Sequence, residues 1–245
     1  MSEPVYLVLG ASGGIGSALC RQLMSRGARL ALAARDSSRL EALAAELGGG
    51  SVHALDATSA DEVQRAVDEV RAAHGRLDGV VNSVGSILLK SAHRTSPDEW
   101  RDTLAANLDT AFAAVRAGTS AMRKTGGSIV LLSSAAAQTG LTNHDAIAAA
   151  KAGVVGLALS AAASYASQGV RVNVVSPGLV RTPLSEHLTK NPASEKASLA
   201  MHPLGRLGEP EDVARAIAWL LDSEQSWVTG QVLAVDGGLG SIRSK

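Results

Sequence analysis

Short apolar runs alternate with longer helix-periodic stretches along the chain. Runs at 4–9, 29–34, 51–55, 78–83, 128–133, 171–176 and 231–235 predict strands, and segments near 14–26, 38–47, 59–74, 97–124, 143–168 and 210–222 predict helices. Several runs, "VYLVL" and "SIVLL" among them, are apolar at consecutive positions, so both faces of those strands must be covered. That pattern suits a parallel sheet with helices on both sides. The expected fold class is α/β, a single doubly wound domain over 1–245 with about seven parallel strands. Residues 182–209 break the alternation: the stretch is polar, holds three prolines and reads as irregular. It is expected to be a substrate-loop insertion, the alternative being a plain surface excursion.

Charge and composition narrow the function. Lys+Arg and Asp+Glu both total 23, so no bulk field draws the chain to nucleic acid or to an anionic membrane. Three Trp, two Tyr and one Phe are too few for stacking platforms that grip single strands. A small-molecule substrate is the expectation, with no nucleic acid and no membrane partner. The longest apolar stretch, 146–166, is rich in Ala and Gly and carries Lys151, which suits a buried helix better than a membrane span. "MSEPVYLVLG" does not read as a secretory leader, and the lone Cys20 excludes an intramolecular disulfide. A cytoplasmic location and no metal site are expected.

The first strand runs into "GASGGIG", with Gly10, Gly14 and Gly16 spaced between strand and helix. Glycines there allow a sharp turn and let a pyrophosphate approach a helix N-terminus, where free N–H groups and the helix dipole favour an anion. The bland alternative is a merely tight turn, but directly after the first strand of an alternating chain the motif points to a Rossmann-type dinucleotide site. Ser12, Gly13 and Ile15 belong to the same loop. At the end of the second strand an acidic residue would accept from the 2′-hydroxyl of NAD(H). The chain offers Ala34 and Arg35 instead, which suits a 2′-phosphate, so NADP(H) is favoured over NAD(H). Asp36 is placed to cap the following helix. Gly13 supplies no second basic residue in the loop.

Taken together, "GASGGIG", "LDATSADEV" (55–63), "NSVG" (82–85), "AANLDTAF" (105–112), "IVLLSSAAA" (129–137), "RVNVVSPGLVRTP" (171–183) and 203–238 resemble the classical short-chain dehydrogenase/reductase family over nearly the whole length. The resemblance implies roles residue by residue. Asp56 and the adjoining Ala57 would lie against the adenine, and the Asn82 segment would line the cofactor channel. Pro177, Gly178, Val180 and Thr182 would hold the nicotinamide carboxamide. Asn107 would kink a helix and hold a proton-relay water, and Ser134 would bind the substrate carbonyl. Lys151 would bind the nicotinamide-ribose hydroxyls. Ser134 as a helix cap and Lys151 snorkelling to solvent are the structural alternatives. The resemblance also implies a homodimer or homotetramer, or a hetero-oligomer with another family member, built through 97–124, 143–168 and the last strand.

One departure bears on the chemistry. The family's Tyr-x-x-x-Lys signature would put Tyr four residues before Lys151 and thirteen after Ser134, and Ile147 stands there. Leu9, Ser83 and Val84 are lesser departures. Carbonyl reduction needs a proton for the developing alkoxide, and Ile147 can only line the substrate pocket. His144 shares a helical face with Ile147 and Lys151 and is a candidate replacement acid; Lys151 itself, Ser134 through water, and a water beside Asn107 are others. Three functions follow: an NADP(H)-dependent carbonyl reductase or alcohol dehydrogenase with an altered proton donor, a cofactor-binding subunit that partners an active homologue, or non-redox chemistry on the same fold.

Overall fold

Every expected strand forms, and each lies parallel to its neighbours. The computed structural model describes residues 3–242, so the outermost residues of the expected 1–245 domain lie outside the described ones. The strands are β1 (Val5–Leu9), β2 (Arg29–Ala34), β3 (Ser51–Ala54), β4 (Gly79–Asn82), β5 (Gly127–Leu132), β6 (Val170–Pro177) and β7 (Val232–Val235), in the order β3-β2-β1-β4-β5-β6-β7. Chain direction across the sheet reverses between β1 and β4. In such sheets ligands bind beyond the carboxyl ends of the strands at that reversal.

Burial on both faces explains the uniformly apolar strands. Along β1, Val5, Leu7 and Leu9 face one core with α3 (Ala60–His74), α5 (Thr110–Met122) and α6 (Asp145–Tyr165). Tyr6 and Val8 face the other, with α1 (Gly14–Ser25), α2 (Ser37–Leu47) and α9 (Pro210–Leu221). The side chains alternate with period two, and neither face is left to solvent. Asp36 caps α2 by accepting from the Arg39 amide at 3.1 Å, as the sequence suggests.

Two stretches differ from the sequence pattern. The expected helix over 97–124 is divided into α4 (Pro97–Leu104), a widened π turn at Ala105–Asp109, and α5. In the widened turn the amide of Thr110 donates to the carbonyl of Ala105, five residues back. Such π bulges are rare and recur at functional sites. The stretch 182–209, irregular by sequence, carries α7 (Glu186–Thr189) and α8 (Pro192–Met201). Its prolines read as breakers, yet Pro183 and Pro192 stand at helix starts, where a missing N–H costs little. Asn191 caps α8 by accepting from Ala193 and Ser194.

Helix α6 with its last turn is apolar and long enough to cross a membrane by length and composition alone. It packs into the core through Val154, Ala158, Ala161 and Ala162, and Ile147, Ala150 and Lys151 nearer its start are buried as well.

Candidate active site

The glycine loop closes on itself. Gly10 has φ +79°, and a Cβ there would stand 2.8 Å from Ser83 Oγ. Ser83 in turn donates to the carbonyl of Leu9 at 2.7 Å, joining the ends of β1 and β4. Gly13 precedes α1 without a side-chain cap, so the first-turn amides around Gly14, Ile15 and Gly16 have no side-chain acceptor. That is a cradle for an anion at a helix N-terminus, and the residues present fit a pyrophosphate. Thr182 packs against this loop: a Cβ on Gly14 would stand 2.8 Å from its Cγ2.

Arg35 is exposed just beyond the carboxyl end of β2. A second guanidinium joins it that sequence reasoning missed. Arg39, in the first turn of α2, donates from Nη2 to the carbonyl of Ser12 at 2.8 Å and so overhangs the glycine loop. The signal was available in its place four residues after Arg35, on a helix that starts beside the cradle. Asp56 accepts from the Thr58 amide and hydroxyl, both at 2.9 Å, which holds its carboxyl below the usual range, with Arg35 adding a smaller pull. Ala57 is buried beside it. The buried amide of Asn82 pins the end of β4, donating to Thr110 Oγ1 at 3.1 Å and accepting from the Val84 amide at 3.2 Å.

The chemical end is assembled by three elements around Gly85. Asn107, in the widened turn, donates from Nδ2 to Ser86 Oγ and to the carbonyl of Thr103, each at 2.9 Å, and its Oδ1 accepts from the Ser86 amide at 3.1 Å. A Cβ on Gly85 would lie 2.9 Å from Asn107 Oδ1 and 3.4 Å from Lys151 Nζ, so both groups converge on that position. Lys151 is 7% exposed, and Nζ donates to the carbonyl of Leu132 at 2.9 Å. Burial lowers its pKa to about 8. The snorkelling alternative is therefore absent: the ammonium is inside.

Ser134 sits just past β5, half-buried, and its Oγ accepts from the Ala136 amide at 3.2 Å. It caps a short turn while keeping its hydroxyl proton to donate. Ile147 is 5% exposed and belongs to neither large core cluster. His144 occupies the N-cap of α6, and its Nδ1 lies 2.8 Å from the carbonyl of Thr142 in the preceding turn.

The wall opposite is the backbone leaving β6. Pro177 ends the strand, the Gly178 amide donates to the carbonyl of Val235 at 3.2 Å, and Val180 bridges to Gly208. Ser185 Oγ donates to the carbonyl of Val180 at 2.5 Å, and Thr182 and Ser185 cap each other. The glycine loop, Ser134 and the 177–182 backbone thus leave the carboxyl ends of β1, β5 and β6, and Asn107 and Lys151 meet at Gly85, just beyond the end of β4. Among the described residues no His/Cys/Asp/Glu cluster has the form of a metal site.

These features define a dinucleotide-dependent oxidoreductase scaffold, and the comparisons agree. A family model described as enoyl-(acyl carrier protein) reductase matches residues 10–240. The chain belongs to that family, within the short-chain dehydrogenases/reductases, whose members bind a nicotinamide cofactor and act on small molecules. It is 38% identical over 239 residues to D-threitol dehydrogenase of Mycolicibacterium smegmatis, covering 96% of this chain and 92% of that protein. A short-chain type dehydrogenase/reductase from Mycobacterium ulcerans superposes with a TM-score of 0.94 at 34% identity, over 100% of this chain and 92% of that one. The structure of ElxO with NADP bound superposes with a TM-score of 0.92 at 26% identity, over 98% and 100% of the two chains.

Proposed function

We propose that this protein is an NADP(H)-dependent carbonyl reductase or alcohol dehydrogenase in which Lys151 replaces the missing tyrosine as proton donor. The observation that carries this reading is the convergence of Lys151 Nζ and Asn107 Oδ1 on Gly85, one helical turn from Ile147. An ammonium has three donors. The carbonyl of Leu132 takes one, leaving two for the crevice, one for a ribose hydroxyl and one for the substrate oxygen. Ser134 donates its hydroxyl to the substrate carbonyl and orients it. Bound NADPH supplies the hydride. As negative charge grows on the carbonyl oxygen, Lys151 gives up a proton, becomes the neutral amine and regains a proton from solvent. His144 is the competing donor, but its Nδ1 is turned to Thr142, toward the start of α6.

Arg35 and Arg39 support NADP(H) over NAD(H), since two guanidinium groups beside the cradle suit a 2′-phosphate. ElxO, bound to NADP, is consistent with that choice. The apolar side chains Leu184 and Met201, exposed on the segment over the site, suit a moderately apolar carbonyl compound. We further place the chain in the cytoplasm, its single thiol buried at Cys20. Phe112 on α5 and Leu159 on α6 are about half exposed at 53% and 51%, and β7 is an unpaired sheet edge. Those faces support a homodimer or homotetramer.

Ile147 itself favours a second reading, a cofactor-binding subunit that works only beside an active homologue. Purified protein, titrated with NADPH by fluorescence and assayed on a panel of ketones, separates the two. Binding with turnover supports the reductase. Binding without turnover until an active homologue is co-expressed supports the subunit, and no binding removes both.

A further inference from the structure

One imidazole joins the segment over the site to the wall behind it. His202 follows the last turn of α8 and is 3% exposed. Its Nδ1 lies 2.7 Å from the carbonyl of Ser198, and its Nε2 accepts from the amide of Leu179 at 3.2 Å. A carbonyl can only accept and an amide N–H can only donate, so these partners assign the neutral ring with its proton on Nδ1. Leu179 lies between Gly178 and Val180, on the backbone running from β6 to Thr182.

The surroundings are fitted to the ring. A Cβ on Gly178 would stand 2.6 Å from His202 Nε2. Gly237, at φ +62°, stands against the adjoining ring carbon, with His202 Cδ2 3.5 Å from the place its Cβ would take. Asp236, next in the chain, spends its carboxylate on the amides of Gly238 and Gly240, at 2.9 and 2.8 Å. A residue that only filled space here would need neither a glycine against its nitrogen nor two directed bonds.

We propose that His202 is a positioning residue whose bond to the Leu179 amide locks α8 onto the backbone that holds the nicotinamide end of the cofactor. This rests on the cofactor reading above. Seating the segment 186–201 and seating the nicotinamide wall are then one event, so closure over a substrate tightens the reactive half of the cofactor and leaves the adenosine half alone.

Two substitutions separate the bonds. In His202→Gln the side-chain carbonyl reaches the Nε2 position and keeps the acceptor for Leu179. In His202→Asn the shorter amide reproduces only the bond to Ser198. The probes are NADPH, followed by fluorescence, and 2′,5′-ADP, which carries the phosphorylated adenosine half alone, followed by calorimetry. We expect His202→Asn to weaken NADPH about three- to tenfold, the loss of roughly one hydrogen bond, with 2′,5′-ADP unchanged and His202→Gln near wild type. Unchanged 2′,5′-ADP binding also shows that the variant is folded. Equal loss of both probes, no loss of either, or His202→Gln as damaging as His202→Asn overturns the proposal while wild-type NADPH binding leaves the cofactor reading standing. Wild-type protein that binds neither probe removes both.

Discussion

Lys151 Nζ donates to the main-chain carbonyl of Leu132 at 2.9 Å, so the one cation on the sheet face of α6 is tied to the end of β5. Burial is the sole cause shifting it, and it lowers the pKa from the ordinary 10.5 to about 8. The unfolded chain therefore binds more protons than the folded one between those values, and cofactor-free stability rises with pH across that window. The full effect is about 3 kcal/mol. Thermal melts of wild type from pH 7 to 10 should show this rise, and Lys151→Met should flatten it. Equal slopes for the two proteins would contradict the buried ammonium.

The same group sets the pH dependence of turnover. A donor must be protonated, so ketone reduction by the wild type should fall as pH rises through about 8. His144→Ala should leave both the rate and that upper limb unchanged. A rate loss of about tenfold or more on that substitution would move the donor role to His144.

Ile147→Tyr restores a phenol one turn before Lys151, on a position only 5% exposed. Because Lys151 already supplies the proton, the phenol adds a second acid to a working one, and kcat on simple ketones should change by far less than the roughly 10²–10⁴-fold that supplying a missing acid brings. The NADPH dissociation constant should hardly change, because the cradle and the arginines are untouched. A gain of about 10²-fold or more would mean that the wild type lacks a working donor and that Lys151 does not fill that role.

How far the sequence carried this picture differs between residues. The strands were legible because two buried faces leave an apolar run, and the cradle because Gly10 and Gly16 have no substitute at their places. Lys151 announced itself as a charge in an apolar helix. The widened turn was legible only through the resemblance, which puts a kink at Asn107; "AANLDTAF" itself keeps helical periodicity, and the backbone bond of Thr110 to Ala105 reveals the extra residue. His202 was missed because it acts on backbone, at Leu179, and such a partner leaves no side-chain pattern to read, whereas Arg39 stood in view four residues after Arg35 at the start of the next helix. Helices α7 and α8 were obscured by prolines that start helices here.

Arg39→Ala removes the 2.8 Å bond to Ser12 and, on the proposed NADP(H) reading, one of the two guanidiniums that would meet the 2′-phosphate. NADPH binding should weaken about tenfold, on the scale of a charge-assisted hydrogen bond, while NADH binding stays within about twofold. Combining Arg39→Ala with Arg35→Ala should bring the two affinities together. If Arg39→Ala weakens NADPH and NADH alike, the side chain supports the loop and does not read the phosphate.

Gly14 and Thr182 pack against each other, and a Cβ on Gly14 would stand 2.8 Å from Thr182 Cγ2 and 2.9 Å from its Cβ. Gly14→Ala should therefore push the 180–185 wall outward while leaving the helical start of α1 intact. Overpacking of this kind costs about 1–3 kcal/mol, and here the wall can move, so the melting temperature should drop little while NADPH binding suffers. Adding Thr182→Ser removes the Cγ2 methyl and keeps the hydroxyl that pairs with Ser185 at 3.1 Å. The double variant should recover only part of the NADPH affinity lost by Gly14→Ala, because serine keeps the Cβ contact at 2.9 Å, as a double-mutant cycle in NADPH binding would measure. Strict additivity would mean that alanine harms the cradle amides directly, and that contact with the Thr182 methyl plays no part.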